Sequence, residues 1–244
     1  YTTTTAIEDL EAVREALGYE QWNLYGGSYG TRKASTYMRM YPEAIRAVIL
    51  DSVVAQDEAL GVSHEANLRS TLSRIFKKCN QDEACQEAFG DAEQQMWKFL
   101  DQLAQQPIEM RLQDTSTGEF ETVTMTREYA VIALRMFSYS PETMGLIPLM
   151  VSLANHGQPE TMAYQAQMMM NSLNQGLNNA LEMSVTCAED VPFMPEYTNV
   201  TNSLFGDELF ELMRARCELW ESIPVDPAFK EPVSSDIPTL LLAG

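Results

Sequence analysis

Residues 21–31 read Gln-Trp-Asn-Leu-Tyr-Gly-Gly-Ser-Tyr-Gly-Thr, and this stretch decides the fold. Its first five residues predict a short strand, and residues 31–41 predict a helix that follows. Between them, Gly26, Ser28 and Gly30 form a Gly-x-Ser-x-Gly pattern, which places a serine at the tip of a sharp strand-to-helix turn. Because glycine has no Cβ, we expect Gly26 and Gly30 to let the strand and the helix pass closely.

The serine in this turn is interpreted as a nucleophile. In a strand–turn–helix context, the hydroxyl of Ser28 points into an open cleft. The turn aims the backbone N–H of Tyr29 at the place where a tetrahedral oxyanion would form, and the helix adds its positive N-terminal end. The alternative is a glycine-rich turn that cradles a phosphate. It is disfavoured because neither Gly-x-x-x-x-Gly-Lys-Ser/Thr nor Gly-x-Gly-x-x-Gly is present.

The residues on either side of the turn predict an α/β unit. Residues 5–17 have apolar side chains at helical spacing, and Gly18 is a typical helix stop. Residues 47–50 are a continuous apolar run that fits a parallel strand buried on both faces. Helix, strand, helix and strand in this order over residues 5–54 predict a parallel sheet with flanking helices.

The pattern changes after residue 54, where strands and helices no longer alternate. Residues 108–112 and 120–125 predict a β-hairpin. Predicted helices occupy residues 55–104, 127–137, 143–154, 159–174 and 204–220. We therefore divide the chain into an α/β core segment (1–54), a mostly helical cap insertion (55–235) and a return strand of the core (236–244).

Composition limits the partners that the chain can have. Sixteen basic and 35 acidic residues give a formal net charge of −19, which argues against nucleic acid or an anionic membrane as a partner. No apolar run reaches the roughly 20 residues that a membrane helix needs. The acidic excess suits a secreted protein and tolerates cationic ligands, although most of the carboxylates are expected to lie on solvated surface.

The four cysteines are Cys79, Cys85, Cys187 and Cys217. No Cys-x-x-Cys motif is present and the chain has two histidines, so we predict no metal site and no cofactor. The favoured interpretation is two disulfides, Cys79–Cys85 and Cys187–Cys217, which implies an oxidising compartment. The alternative is four buried thiols.

Several of these runs together resemble the α/β-hydrolase fold. More narrowly, the chain looks like the proline iminopeptidase and tripeptidyl aminopeptidase group of secreted bacterial serine exopeptidases, peptidase family S33. The runs that carry the resemblance are Leu-Tyr-Gly-Gly-Ser-Tyr-Gly-Thr (24–31), Tyr-Pro (41–42), Val-Ile-Leu-Asp (48–51) and Pro-Thr-Leu-Leu-Leu-Ala-Gly (238–244). In the insertion, Cys-Ala-Glu-Asp (187–190), with Cys217 and Trp220, is similar to the cap of the tripeptidyl-aminopeptidase branch.

The resemblance implies acyl transfer in a secreted or periplasmic bacterial enzyme. Ser28 would attack a peptide carbonyl, and the N–H of Tyr29 would be one oxyanion donor. The partner would be a peptide with a free N-terminus, because a carboxylate on the cap can bind an α-ammonium group. Glu189 is the first candidate for this ligand and Asp190 the second. The alternative for Glu189 is an ordinary surface carboxylate, and nothing in the sequence predicts the oligomeric state.

The chain departs from the family pattern in its catalytic acid and base. Such an enzyme carries its acid a few residues beyond a strand like 239–244 and its histidine later still, so the resemblance implies a fragment that is inactive alone. His64 and His156 do not fit the order serine, acid, histidine. Asp51 follows the strand after the serine turn, where some α/β hydrolases place a relay acid; the favoured alternative is a turn residue at a strand end.

Two other functions stay open at this point. A carboxylesterase or lipase of the same fold would use the same chemistry at Ser28, because substrate choice lies in the cap. A protein of another class, a non-catalytic binding domain, is also consistent with a chain in which no convincing base is identified.

Overall fold

The structure, a computed structural model, describes residues 1–114, 118–196, 203–205 and 208–243. The strands are β1 (Trp22–Gly27), β2 (Ile45–Asp51), β3 (Ile108–Gln113), β4 (Phe120–Met125) and β5 (Thr239–Leu242). The α-helices are α1 (Thr3–Ala16), α2 (Tyr29–Met40), α3 (His64–Gln81), α4 (Glu83–Phe89), α5 (Ala92–Gln105), α6 (Arg127–Phe137), α7 (Pro141–Met144), α8 (Ile147–Asn155), α9 (Glu160–Gly176), α10 (Asn179–Val185) and α11 (Glu208–Leu219). A π-helical turn, Thr186–Asp190, continues directly from α10.

These elements form two compact units. Unit 1 comprises Tyr1–Val62, Asn178–Thr198 and Asp207–Gly244, and unit 2 comprises Ser63–Leu177 and Asn199–Gly206. Residues 178–198, which the sequence analysis assigned to the cap insertion, thus belong to the same unit as the serine turn. None of the helices in the described ranges is both long enough and apolar enough to cross a membrane.

Unit 1 is built on a parallel sheet in the order β1-β2-β5. The helices α1 and α2 cover one face of this sheet and bury a common apolar core. That core contains Ile7, Ala34, Tyr37, Val48 and Leu50. The parallel strands and flanking helices that the sequence predicts are therefore present, and the serine turn lies where β1 passes into α2.

The opposite face of this sheet is exposed, which corrects two predictions. In the register of the sheet, Tyr25 pairs with Ile49 and Ile49 pairs with Leu240, so the three side chains share one face. Their exposed fractions are 68, 37 and 53%. The expected burial of residues 47–50 on both faces is wrong, because in the described residues helices cover one face of β2. The return strand predicted within 236–244 is present as β5, but all four of its residues are exposed, so it is not the buried strand that its apolar run predicts.

Unit 2 combines helices with the antiparallel hairpin β3–β4, in which Ile108 pairs with Met125. The helix α5 packs against α8, and α6 packs against α9. The amphipathic faces of these four helices and of α3 bury the apolar side chains Phe76, Leu100, Leu103, Val131, Leu134, Ile147 and Met162. The hairpin follows the prediction, whereas the continuous helix expected over 55–104 is divided into α3, α4 and α5 and begins at His64.

Candidate active site

The turn at Ser28 has a backbone conformation that few residues other than glycine adopt. Its φ is 51° and its ψ is −124°. The N–H of Ser28 donates to the carbonyl of Asp51 at 3.0 Å, at the end of the neighbouring strand β2. Its carbonyl accepts from the N–H of Thr31 at 2.9 Å and from the hydroxyl of Thr31 at 2.7 Å. Main-chain bonds on both sides therefore hold the serine at the tip of the turn.

The hydroxyl of Ser28 is available for chemistry. Ser28 precedes the first residue of α2, a position where a serine hydroxyl ordinarily accepts a hydrogen bond from the helix N-terminus. Here the side chain of Ser28 makes no such capping bond, and the residue is exposed. A fixed backbone and an exposed side chain are two of the features that an attacking nucleophile needs, and the role of Ser28 as nucleophile stays a prediction.

The two motif glycines have different steric roles. A Cβ added at Gly26 would lie 2.4 Å from the carbonyl oxygen of Gly30, 2.7 Å from its carbonyl carbon and 2.9 Å from the backbone nitrogen of Thr31. A Cβ added at Gly30 would meet nothing within 4 Å. The close passage predicted from the motif thus depends on Gly26, and the steric reason given for Gly30 does not apply in this structure.

Tyr29, the predicted oxyanion donor, begins α2. The first N–H groups of a helix have no intrahelical acceptor, so the N–H of Tyr29 lies at the positive end of α2. Its side chain runs to Thr3, with the two hydroxyl oxygens 2.6 Å apart. Burial raises the pKa of the Tyr29 phenol to about 12, although the hydrogen bond with Thr3 lowers it in part. The role of its backbone N–H as oxyanion donor stays a prediction.

Glu189 lies on the π-helical turn and is fully buried. Its Oε1 accepts from the backbone N–H of Thr3 at 2.5 Å, and its Oε2 accepts from the hydroxyl of Thr3 at 2.8 Å. Burial raises the pKa of the Glu189 carboxyl above its ordinary value. The alternative in which Glu189 is a surface carboxylate is therefore wrong, and its role as an amine ligand stays a prediction.

Asp190 is equally buried and takes part in a cluster of opposite charges. Its Oδ1 accepts from Nη1 of Arg32 at 2.9 Å and from the N–H of Leu60 at 2.9 Å, and it lies 3.5 Å from Nζ of Lys230. Burial, followed by the charge of Arg32, lowers the pKa of Lys230. Two basic side chains, Arg32 and Lys230, and two acidic ones, Asp190 and Glu189, meet here, so the buried charges are paired.

Asp51, the candidate relay acid, lies at the end of β2. Its Oδ2 accepts from the hydroxyl of Tyr25 at 2.9 Å, and its Oδ1 is 3.3 Å from the hydroxyl of Ser52. Ser52 has a φ of 57°, so the chain turns sharply after this strand. The backbone carbonyl of Asp51 accepts the hydrogen bond from the N–H of Ser28. The role of its side chain as relay acid stays a prediction.

The two histidines of the chain belong to unit 2, whereas Ser28 belongs to unit 1. Burial, with a contribution from the positive charge of Arg135, lowers the pKa of His64 to about 4. His156 lies at the C-terminus of α8, where its Nδ1 is 2.7 Å from the carbonyl oxygen of Ser152. The residues of unit 1, which contains Ser28, therefore include no histidine.

The four cysteines form the two disulfides that the sequence analysis favours, Cys79–Cys85 and Cys187–Cys217. Cys79–Cys85 joins α3 to α4, and Cys187–Cys217 joins the π-helical turn to α11, each with a Cα–Cα distance of 5.2 Å. Two disulfides suggest an extracellular or periplasmic location. In the parts of the chain that the structure describes, no group of three or more His, Cys, Asp or Glu side chains could hold a metal ion.

Sequence reasoning missed three residues that surround the two buried carboxylates: Thr3, Arg32 and Lys230. Arg32 follows Tyr29 by three residues in α2, and this helical spacing was the one available signal that both side chains share a face. Thr3 is 186 residues from Glu189, and no local pattern indicates such a contact.

Comparisons with known proteins agree with this geometry. Residues 1–78 match the model of the alpha/beta hydrolase fold family. The chain is 44% identical over 52 residues to serine protease Hip1 of Mycobacterium tuberculosis, an alignment that covers 21% of this chain and 10% of that protein. These comparisons support an α/β-hydrolase. The residues that match the family model, 1–78, include the serine turn and Asp51, but not Glu189 or Asp190.

Two further relatives have peptidase names. The chain is 40% identical over 53 residues to the tripeptidyl aminopeptidase of Streptomyces lividans, which covers 22% of this chain and 10% of that protein. It is 35% identical over 52 residues to the proline iminopeptidase of Neisseria gonorrhoeae, which covers 21% of this chain and 17% of that protein. The aligned part of this chain therefore spans 10 to 17% of the length of these three relatives.

Proposed function

We propose that this chain carries the nucleophile region of a serine aminopeptidase of the proline iminopeptidase and tripeptidyl aminopeptidase group. It would release residues or short peptides from free N-termini through an acyl-enzyme on Ser28. The observation that carries the proposal is the turn at Ser28, which has a positive φ, an exposed side chain and a hydroxyl that makes no capping hydrogen bond. The names of the relatives support a peptidase rather than an esterase.

The proposed reaction uses Ser28 as nucleophile and the N–H of Tyr29 as oxyanion donor. Oγ of Ser28 attacks the carbonyl carbon of the peptide and passes its proton to a base, which delivers the proton to the leaving amine. The N–H of Tyr29 stabilises the oxyanion, a contribution of about 3 kcal/mol per donor. Water then hydrolyses the ester on Ser28. We assign no base within residues 1–244, and we propose that the activation of Ser28 needs residues outside this chain.

Glu189 is the proposed ligand of the substrate α-ammonium group, with Asp190 second. Two observations support Glu189. It is joined to the serine turn through Thr3 and Tyr29, and a carboxylate offers about four lone-pair sites, of which Thr3 uses two. Because Glu189 is fully buried, a substrate reaches it only if neighbouring side chains move.

Labelling with a fluorophosphonate tests the nucleophile. We expect Ser28 to be labelled in a longer polypeptide that contains residues 1–244, and to be labelled weakly or not at all in residues 1–244 alone. Ser28→Ala removes the label in both. Rapid, Ser28-dependent labelling of residues 1–244 would show that the chain supplies its own base, and no labelling of either protein would contradict a serine hydrolase.

Amine recognition is tested with paired substrates in the same longer polypeptide. Glu189→Gln should reduce the preference for free over N-acetylated peptides by about 10- to 150-fold, the range for a hydrogen bond to a charged group. Glu196→Gln, at an exposed position of unit 1, is the matched control. An unchanged preference in Glu189→Gln would remove Glu189 from the amine site, and faster cleavage of simple esters than of peptides would favour a carboxylesterase.

A further inference from the structure

Two side chains in the first turn of α2 are bonded, directly or through one other residue, to carboxylates of the π-helical turn. Tyr29 and Arg32 are three residues apart and share one face of α2. Tyr29 reaches Glu189 through the hydroxyl of Thr3, and Arg32 bonds directly to Asp190. We call the set Thr3, Tyr29, Arg32, Glu189 and Asp190 the elbow clamp. All five residues belong to unit 1.

The hydrogen bonds along one side of the elbow clamp have a fixed direction. The hydroxyl of Thr3 has one hydrogen, and it donates this hydrogen to Oε2 of Glu189. The hydroxyl of Tyr29, 2.6 Å away, must therefore donate to Oγ1 of Thr3. The backbone N–H of Thr3 also donates to Glu189, so this carboxylate fixes both the start of α1 and the far end of the Tyr29 side chain.

The second side of the elbow clamp is the ion pair between Arg32 and Asp190, which is buried from solvent. The exposed fraction is 1% for Arg32 and 0% for Asp190. Nη2 of Arg32 also donates to the carbonyl of Glu58 at 2.8 Å. A buried ion pair adds little to stability compared with apolar packing, whereas loss of one partner leaves the other charge buried and unpaired. Its position next to the serine turn therefore needs an explanation other than stability.

Ser28 does not stabilise the first turn of α2 with its own side chain, so other residues must do so. A serine before a helix ordinarily fixes the first turn with its own hydroxyl, and here that hydroxyl makes no capping bond. The residue also has a strained φ of 51°, which costs of order 1–3 kcal/mol and persists only where the surroundings enforce it. The elbow clamp attaches Tyr29 and Arg32, at the beginning and the end of the first turn of α2, to the two buried carboxylates.

We propose that Glu189 and Asp190 are positioning residues that, through Thr3, Tyr29 and Arg32, hold the turn at Ser28 and the backbone N–H of Tyr29 in place for acylation. The inference rests on the proposed function at Ser28. It differs from amine binding in its consequence, because the elbow clamp acts on the reactivity of Ser28 towards free and N-blocked substrates alike.

Hydrogen exchange of residues 1–244, resolved by amide, tests the elbow clamp without any need for activity. In Thr3→Val and in Tyr29→Phe, protection of the Ser28 and Thr31 amides should fall about fivefold, the effect of one lost hydrogen bond. The amide of Val48, which bonds to the carbonyl of Pro238 in the sheet, is the reference and should not change.

The controls separate a local hold from general stability. Thr4→Val makes the same chemical change in the same helix but outside the elbow clamp, and should leave all of these amides unchanged. The double variant Thr3→Val/Tyr29→Phe should lose no more protection than either single variant, since both break one chain of bonds. Equal losses at Ser28 and at Val48, or no loss at Ser28 and Thr31, would overturn the proposal.

Reactivity gives the second measurement, in the longer polypeptide used for labelling. Thr3→Val should slow the labelling of Ser28 while the ratio of free to N-acetylated peptide turnover stays the same. A changed ratio with an unchanged labelling rate would overturn the positioning role. If wild-type Ser28 is never labelled, the proposed function fails, and the exchange measurement alone then decides whether the elbow clamp holds the turn.

Discussion

Gly26 allows the turn at Ser28 to form at all. The position that a Cβ would occupy at Gly26 lies 2.4 Å from a backbone oxygen of α2, and backbone atoms cannot yield as a flexible side chain can. The strand and the helix would have to separate, and this movement would break the bond between the Ser28 N–H and the Asp51 carbonyl. The closeness of the two elements is therefore set by one missing methyl group.

Gly26→Ala should lower the free energy of unfolding by about 1–3 kcal/mol or more, the usual cost of overpacking a fixed site. Gly30→Ala is the matched control, because its added methyl meets nothing within 4 Å. In the first turn of α2 this change should be neutral or stabilising by up to about 1 kcal/mol. Urea unfolding measures both, and equal costs for the two variants would contradict the steric account.

The difference between these glycines also shows what a motif can predict at this scale. The Gly-x-Ser-x-Gly pattern predicts the turn because few other sequences tolerate such a conformation. It does not say which glycine makes the close contact, since this depends on the distance between the strand and the helix. Contacts such as Thr3 with Glu189 join residues far apart in the sequence, so only the folded chain defines them.

Among the elements, the π-helical turn at Thr186–Asp190 connects parts of unit 1 that are far apart in the sequence. All five of its residues are buried, and π-helical turns are frequent at functional sites. One side of the turn meets α2 through the two carboxylates, and Cys187 joins it to α11. The disulfide thus secures the element from which the elbow clamp extends.

The two disulfides should differ in what they contribute to stability. Cys187–Cys217 spans 30 residues and Cys79–Cys85 spans 6. By loop-closure entropy, these spans correspond to about 3.6 and about 2.2 kcal/mol at 25 °C. Replacing Cys187 and Cys217 by alanine should therefore cost more than replacing Cys79 and Cys85.

Urea unfolding of the two double variants under non-reducing conditions measures this difference. The shorter loop is the natural control, because its removal tests the same chemistry in unit 2. We also expect the loss of Cys187–Cys217, and not of Cys79–Cys85, to reduce the exchange protection of the Ser28 amide. Equal costs, or equal effects on Ser28, would show that the π-helical turn is held without the disulfide.

Elements were more predictable than their environment. Local sequence patterns predict β1, α2, β2 and the hairpin β3–β4, because each pattern depends on residues close together in the chain. Burial of β2 on both faces was wrong, since a run such as Ala-Val-Ile-Leu does not state how many layers cover it. Tyr25, Ile49 and Leu240 are exposed because the described helices of unit 1 cover the other face of the sheet. The sequence of a strand does not show which of its faces a helix covers.

At the scale of the whole molecule, the two units should respond to pH in opposite directions. In unit 1, burial raises the pKa of Glu189 above its ordinary 4.5, with Arg32 opposing this shift and Asp190 adding to it. The folded state then binds the proton more tightly than the unfolded state, so the free energy of unfolding falls as pH rises from 4.5 through the folded pKa.

In unit 2 the sign is reversed. Burial and the charge of Arg135 lower the pKa of His64 from 6.5 to about 4. The unfolded state therefore binds the proton more tightly between these values. The contribution of neutral His64 is fully present above pH 6.5 and is lost as the pH falls towards 4.

Two substitutions separate these effects. Relative to wild type, Glu189→Gln should gain stability as the pH rises from 4.5, whereas His64→Gln should gain stability as the pH falls from 6.5 to 4. Glu196→Gln and His156→Gln, at exposed positions, are the controls. Amide exchange from pH 4 to 8 assigns each change to a unit, and curves parallel to wild type for both variants would show that neither buried group is linked to folding.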